Sequence, residues 1–209
     1  KFSETSYATI AYSDVWDRNK DGEKWLTKLV KRQESISKLN IPSSLSHLPL
    51  PNPVDWLISK LSIARDGTFV DPTTQPTTLS VTHGDMHGDN FFVIHPSGVW
   101  VIDYERTGKG HVLQDWVELE HDILTRLTLV QPNEWQSYVH LVCAIAQPYI
   151  VSQWSTEKIK SLSRVIANPQ MIKSLKVINI IRRLARESDE GPGDARPYVW
   201  GLLLNAIFR

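Results

Sequence analysis

The sequence has little of most features that would mark an unusual class of protein. A single cysteine, Cys143, stands in 209 residues, which excludes an internal disulfide framework and agrees with a reducing compartment. It lies in an apolar, helix-like stretch, so a core thiol is expected there rather than a reactive one. No run reaches the ~20 apolar residues of a membrane span, because the best candidate, Leu141 to Val151, is short and holds Gln147 and Pro148. The start does not resemble a signal peptide, and a cytoplasmic location is expected. An excess of charge of one sign is missing too. Twenty-three basic and 23 acidic residues cancel, which leaves no electrostatic footprint for nucleic acid or an anionic membrane. Any phosphate-handling site is therefore local. Internal repeats and low-complexity tracts are absent as well.

What is present is enough apolar residue, 41%, for one well-filled domain or two small ones. Beginning at Lys1 rather than Met, the chain reads as an excerpt of a longer polypeptide. Residues 1–78 form a helical and linker lead-in. A helix is expected from Glu23 to Leu39, with Trp25, Leu26, Leu29, Val30, Ile36 and Leu39 at helical spacing, and another from Asn52 and Pro53 through Ala64. A Pro- and Ser-rich connector, Ile41 to Pro51, separates them, and Asp66 to Ser80 reads as a loop. Short strands are expected at Leu79–Thr82, Phe91–Ile94 and Val99–Ile102, the last two forming a hairpin across His95-Pro96-Ser97-Gly98. Beyond Gly110 the pattern is helical, over about 112–129, 134–147, 156–167, 170–186 and 196–208. The expected fold is mainly α with a small β-hairpin near its middle: 79–127 carries the loop, hairpin and supporting helix, and 128–209 a helical subdomain.

The chemistry gathers around His83-Gly84-Asp85-Met86-His87-Gly88-Asp89-Asn90. Asp85 and Asn90 lie on a segment leaving one strand and entering another, and Asp103 ends the strand after that. A strand, turn and strand fold the chain back, which returns Asp103 to Asn90. Two carboxylates and an amide oxygen then converge as hard ligands of the kind Mg²⁺ takes alongside phosphate oxygens and water. Phosphoryl transfer needs such ligands together with a carboxylate to position the attacking hydroxyl.

His83-Gly84-Asp85-Met86-x-x-x-Asn90 is similar to the protein-kinase catalytic loop H-R-D-L-x-x-x-N, and Val101-Ile102-Asp103-Tyr104-Glu105 stands where D-F-G would stand. The pairing of H-G-D-x-H-x-x-N with I-D-[YFW]-E resembles the aminoglycoside phosphotransferase, choline kinase and related small-molecule kinase group. The resemblance covers about residues 79–127 and implies the large C-terminal lobe of a protein-kinase-like fold, using Mg²⁺ and ATP or GTP. It implies Asp85 as catalytic base, His87 as a polar group near the phosphates, and Asn90 and Asp103 as Mg²⁺ ligands, with Glu105 beside them at the nucleotide. His83 would support the loop, and Asp115 would be a buried brace accepting its backbone amides. Residues before His83 show no G-x-G-x-x-G and no strand lysine. The family carries these on a small sheet lobe before the catalytic loop; either that N-lobe lies upstream, or this is a reduced kinase. A different class of function is a pseudokinase-like interaction or nucleotide-sensing module of a larger signalling or defence protein.

Other signals are weaker. Gly84-Asp85-Met86-His87-Gly88 also fits the G-D-x-H-G element of metallophosphoesterases, but the companion elements do not occur. A zinc site on His83, Asp85 and His87 is weaker still: alternating residues on a strand share one face, but nothing later offers a clear Cys or His partner cluster. Asp17 to Gly22 starts like an EF-hand loop, but Lys28 stands where the twelfth-position Glu belongs. Arg182, Arg183 and Arg186 read as a solvated helix face, and Glu118, Glu120 and Asp122 as the solvated side of another, with a cleft that holds a cationic substrate as the alternative role for the acids.

Overall fold

The computed structural model describes residues 2–3, 77–146, 156–166, 168–188 and 196–208. The expected helices at 23–39 and 52–64 and the EF-hand-like turn lie outside those residues. The strands are β1 (Phe2–Ser3), β2 (Thr77–Thr82), β3 (Phe91–Ile94), β4 (Gly98–Val101) and β5 (Gly108–His111). The helices are α1 (Gln114–Asp122), continued by a π-helical turn at Ile123–Leu127, then α2 (Trp135–Ile145), α3 (Thr156–Val165), α4 (Pro169–Ser188) and α5 (Arg196–Phe208). The described residues are thus mainly helical with a small hairpin, as the periodicity implies. None of their helices is long and apolar enough to cross a membrane.

β3 and β4 form the expected hairpin, with Phe91 opposite Val101 and Phe92 opposite Trp100. β2 is the centre of a second, antiparallel sheet between β1 and β5. Gly108-Lys109-Gly110-His111 holds no β-branched residue to announce a strand, and the sequence pattern assigns it no element. Pairing with β2, Val81 against Lys109 and Thr82 against Gly108, makes it one. Its last residue, the buried His111, accepts the Leu113 amide on Nδ1 at 3.1 Å, which ends the strand and directs the chain into α1.

The core lies among α2, α3, α4 and the end of α1, with Ile123, Leu141, Ile145, Ile166, Met171, Leu175 and Ile178 in one cluster. On α2 the stripe Leu141, Ala144, Ile145 faces it, and that leaves Cys143 on the outer side. Cys143 is exposed, not the core thiol that its apolar neighbours suggest. Asn168 caps α4, its Oδ1 accepting the Gln170 and Met171 amides at 2.7 and 3.3 Å, with Pro169 in the first turn.

Two charged residues read as solvated are buried together. The Glu120 carboxylate receives Arg182 Nε at 2.9 Å, Arg182 Nη2 at 2.6 Å and the Tyr198 hydroxyl at 2.7 Å, while Arg182 Nη1 donates to the Ile145 carbonyl at 2.6 Å. Burial works against the guanidinium charge, but Glu120 and Tyr198 outweigh it and hold Arg182 more firmly protonated than usual. Sequence spacing exposed only Arg183 and Arg186 correctly, because α1 is sandwiched and buries both sides. The arrangement ties α1, α4 and α5 together.

Glu120→Ala leaves Arg182 buried without its carboxylate, and urea unfolding should show a loss of about 3–5 kcal/mol. The double substitution Glu120→Met with Arg182→Met should cost clearly less. A second expectation concerns pH. Burial pushes His111 down from 6.5 to about 4, so between those values the unfolded chain binds the proton and the folded chain resists it. Stability that is complete above pH 6.5 should fall by about 3 kcal/mol on acidification to about pH 4. His111→Asn, which keeps an acceptor for the Leu113 amide, should flatten that slope.

Candidate active site

β2 delivers the chain at His83 to a loop that ends in a 3₁₀ turn, Gly88–Asn90, leading directly into β3. The loop has no ladder of its own, so its backbone amides need other acceptors. α1 supplies them. Asp115 accepts the His83 amide at 2.8 Å and the Gly84 amide at 2.9 Å, Glu118 accepts Met86 at 2.8 Å, and Asp122 accepts Gly88 at 2.8 Å. Positions 115, 118 and 122 are three and four apart, so they share one helix face and meet alternate amides of the loop in order. Asp115 is half-buried rather than buried, but its expected bonds to the loop amides are present. Glu118 and Asp122 are buried, which corrects the solvated reading and withdraws both from any cationic ligand.

Gly84 is required twice over. Its φ is +80°, where a Cβ is disfavoured, and a Cβ there would stand 2.6 Å from the Arg106 carbonyl oxygen. Past this pivot the Asp85 carboxylate lies 3.9 Å from His87 Nε2 and 3.8 Å from Arg106 Nη1. Asn90 is buried, and its Nδ2 donates to the Asp85 carbonyl at 2.8 Å with His87 Nε2 3.4 Å away. That bond assigns the amide nitrogen inward and leaves Asn90 Oδ1 as the atom suited to a cation.

The hairpin closes on the loop at Ile102. Its amide donates to the Asn90 carbonyl at 3.1 Å, and its carbonyl lies 2.7 Å from Nε2 of the buried His83, whose ring also packs on Tyr104 at 5.2 Å between centroids. Asp103 follows with φ 64° and ψ 60°, the left-handed conformation that a non-glycine residue rarely adopts, and is exposed. The strained residue sits directly after the point where strand and loop are bonded together. Glu105 is exposed in the 3₁₀ turn Tyr104–Arg106.

The structure thus gathers Asp85, His87 and Asn90 in one loop, anchors His83 and Asp115 beneath it, and starts Asp103 from the bonded end of the hairpin. Residues 83–87 are not a strand, so His83, Asp85 and His87 do not alternate along one as the zinc reading needs, and the His83 ring turns to Ile102 instead. Among the described residues no three His, Cys, Asp or Glu side chains form a metal-binding group. Mg²⁺ needs no such group, because one or two carboxylates with an amide oxygen suffice when phosphates and water complete the sphere. Asn90 Oδ1 and the Asp103 carboxylate fit that donor set.

One cation completes the underside. Arg126, on the π-helical turn, donates to both Asp122 oxygens at 2.6 and 2.8 Å and from Nη1 to Asp89 at 3.0 Å. Burial alone would raise the Asp122 carboxyl, but hydrogen bonds from Arg126 and the Gly88 amide together hold it below its ordinary value. Reading acids on a helix as solvent-facing missed Glu118, Asp122 and Arg126. The missed signal was the three-and-four spacing of acids opposite a loop rich in unpaired amides.

A family model described as ternary complex associated domain 9 matches residues 8–208, nearly the whole chain, so the chain belongs to that family. Neither a curated protein nor a solved structure matches it.

Asp115→Asn keeps one acceptor oxygen but turns an NH₂ group toward the second amide. It should destabilise the fold by about 1–3 kcal/mol in urea unfolding, with faster hydrogen exchange at His83 or Gly84. Unchanged exchange at both amides would contradict the bracing role.

Proposed function

We propose that this member of the ternary complex associated domain 9 family carries the lower half of a kinase-like O-phosphotransferase cleft, which takes ATP or GTP, Mg²⁺ and a small-molecule hydroxyl. The observation that carries the reading is the bonded junction of loop and hairpin, Ile102 to Asn90 and to His83, from which Asp103 departs in a left-handed conformation beside the Asp85–Asn90 loop. Described residues that are mainly helical, with the small hairpin near their middle, agree with a kinase-like large lobe, though function is argued from the site.

In this reading Asp85 orients the acceptor hydroxyl and takes its proton as the oxygen attacks the terminal phosphorus and the nucleoside diphosphate leaves. Asn90 and Asp103 would hold Mg²⁺, which neutralises charge on the phosphates when bound. His87, within reach of both Asp85 and Asn90, faces the phosphates, and Glu105 borders the nucleotide. His83 and Asp115 keep the loop in shape from below. The hairpin leaves Phe92, Val93, Val99 and Trp100 exposed, an apolar surface that suits the covering half of the cleft. Flanking sequence is the expected source of that half. Positioning can be worth about 7–11 kcal/mol of a barrier, so the 209-residue chain alone should bind nucleotide weakly and transfer negligibly.

The second reading, an interaction or nucleotide-sensing module within a larger signalling or defence protein, is favoured by the family's description and by the same exposed hairpin. The two part company over Asp85.

With the flanking sequence present, calorimetry should show Mg²⁺-dependent binding of ATP or GTP that weakens at least tenfold in Asp103→Asn and Asn90→Ala. Asp85→Asn should keep that binding and lose turnover by about 100- to 10,000-fold. Binding indifferent to Asp103 and Asn90 would defeat the reading. Binding without turnover in the unsubstituted protein would favour the sensing module.

A further inference from the structure

The π-helical turn after α1 does more than end a helix. Its Thr128 side chain closes it, the hydroxyl donating to the Ile123 carbonyl at 2.6 Å, and the turn holds Arg126 and Leu127 against the loop. Such turns recur at functional positions, because the extra residue swings side chains out of the regular helical register. Here they enclose Gly88. A Cβ on Gly88 would stand 2.9 Å from Leu127 Cδ1, 3.2 Å from Arg126 Nη2 and 3.2 Å from Asp122 Oδ2.

Arg126 reaches across this glycine. Its fork occupies both oxygens of Asp122, the carboxylate that holds the Gly88 amide, and its remaining arm reaches Asp89, the next loop residue. Asp89 in turn lies 3.9 Å from His87 Nδ1. Among the described residues every hydrogen bond of Arg126 goes to Asp122 or Asp89, and none to the core. Its side chain is 43% exposed.

We infer that Arg126 is a positioning residue: by gripping Asp122 and Asp89 around Gly88 it sets the turn of residues 87–90 and so aims Asn90 and His87. The aim toward metal and phosphate rests on the phosphotransferase reading; the grip itself does not. A surface ion pair is ordinarily worth little to stability, so the effect belongs to loop geometry rather than to the fold. A lysine cannot reproduce it, because a single ammonium cannot span two Asp122 oxygens and Asp89 together.

The test, on the protein with its flanking sequence, compares Arg126→Ala and Arg126→Lys with Arg183→Ala, an exposed arginine on α4, by amide hydrogen exchange, by the NMR signal of the Asn90 side-chain amide, and by calorimetry with Mg²⁺ and each of ATP and GTP. In Arg126→Ala, exchange protection at Gly88 should fall at least tenfold and the Asn90 signal should shift, while His83 and Gly84, held by Asp115, stay within twofold. Arg126→Lys should fall between, and Arg183→Ala should change none of these. Nucleotide affinity should drop at least tenfold in Arg126→Ala. Unchanged protection at Gly88, or an equal loss at all four braced amides, overturns the inference. So does a loosened Gly88 with undiminished nucleotide affinity. If the unsubstituted protein binds no nucleotide while Gly88 and Asn90 respond as stated, the grip stands and the phosphotransferase reading falls.

Discussion

A loop with no ladder of its own holds its shape because three carboxylates on one helix accept its backbone amides. Asp115, Glu118 and Asp122 meet the amides of His83 and Gly84, of Met86 and of Gly88 in sequence. Each bond runs from a backbone amide to a carboxyl oxygen, and removing any acceptor leaves a donor stranded. The pitch of α1 sets the spacing of the loop. The geometry of the site follows from that: the half-buried Asp85 between His87 and Arg106, the inward Asn90 amide and the sharp turn at Gly84.

The helix that does this must itself be fixed. Its opposite side carries Glu120, locked to Arg182 and Tyr198, so α1 is tied by charge on both faces rather than by apolar contact alone. Buried ion pairs add little net stability over well-packed apolar residues, but they tolerate few alternative arrangements. A slip of α1 by one residue would break the pairing with Arg182 and misalign every carboxylate beneath the loop. His111, neutral and buried at the junction of β5 and α1, adds a third constraint at the helix start.

The sequence made visible what rests on local pattern. Helices α2 to α5, the hairpin and its turn follow from apolar periodicity and from Pro and Gly at element ends, and the cluster from His83 to Asn90 stood out by residue type. The helix over 112–129 proved to be α1 with a π-helical turn, whose extra residue leaves no mark on the 3.6-residue pattern. β5 escaped because pairing with β2, not composition, makes it a strand. The charged residues were misjudged for one reason. Hydropathy sends Glu118, Glu120, Asp122 and Arg182 to solvent, yet each is buried against a partner distant in sequence, 32 residues between Met86 and Glu118 and 62 between Glu120 and Arg182. Cys143 failed the other way, its apolar neighbours concealing an outward position on α2.

On the proposed reading Asn90 and Asp103, held by the loop and hairpin, would form one cation and phosphate corner. Paramagnetic Mn²⁺ in place of Mg²⁺, added with nucleotide to the isotopically labelled protein with its flanking sequence, tests it most directly. The account predicts that the Asn90 side-chain amide and the Asp103 backbone amide broaden first, ahead of the exposed Glu187 on α4. Broadening that begins at Glu187, or that leaves Asn90 and Asp103 sharp, would contradict it.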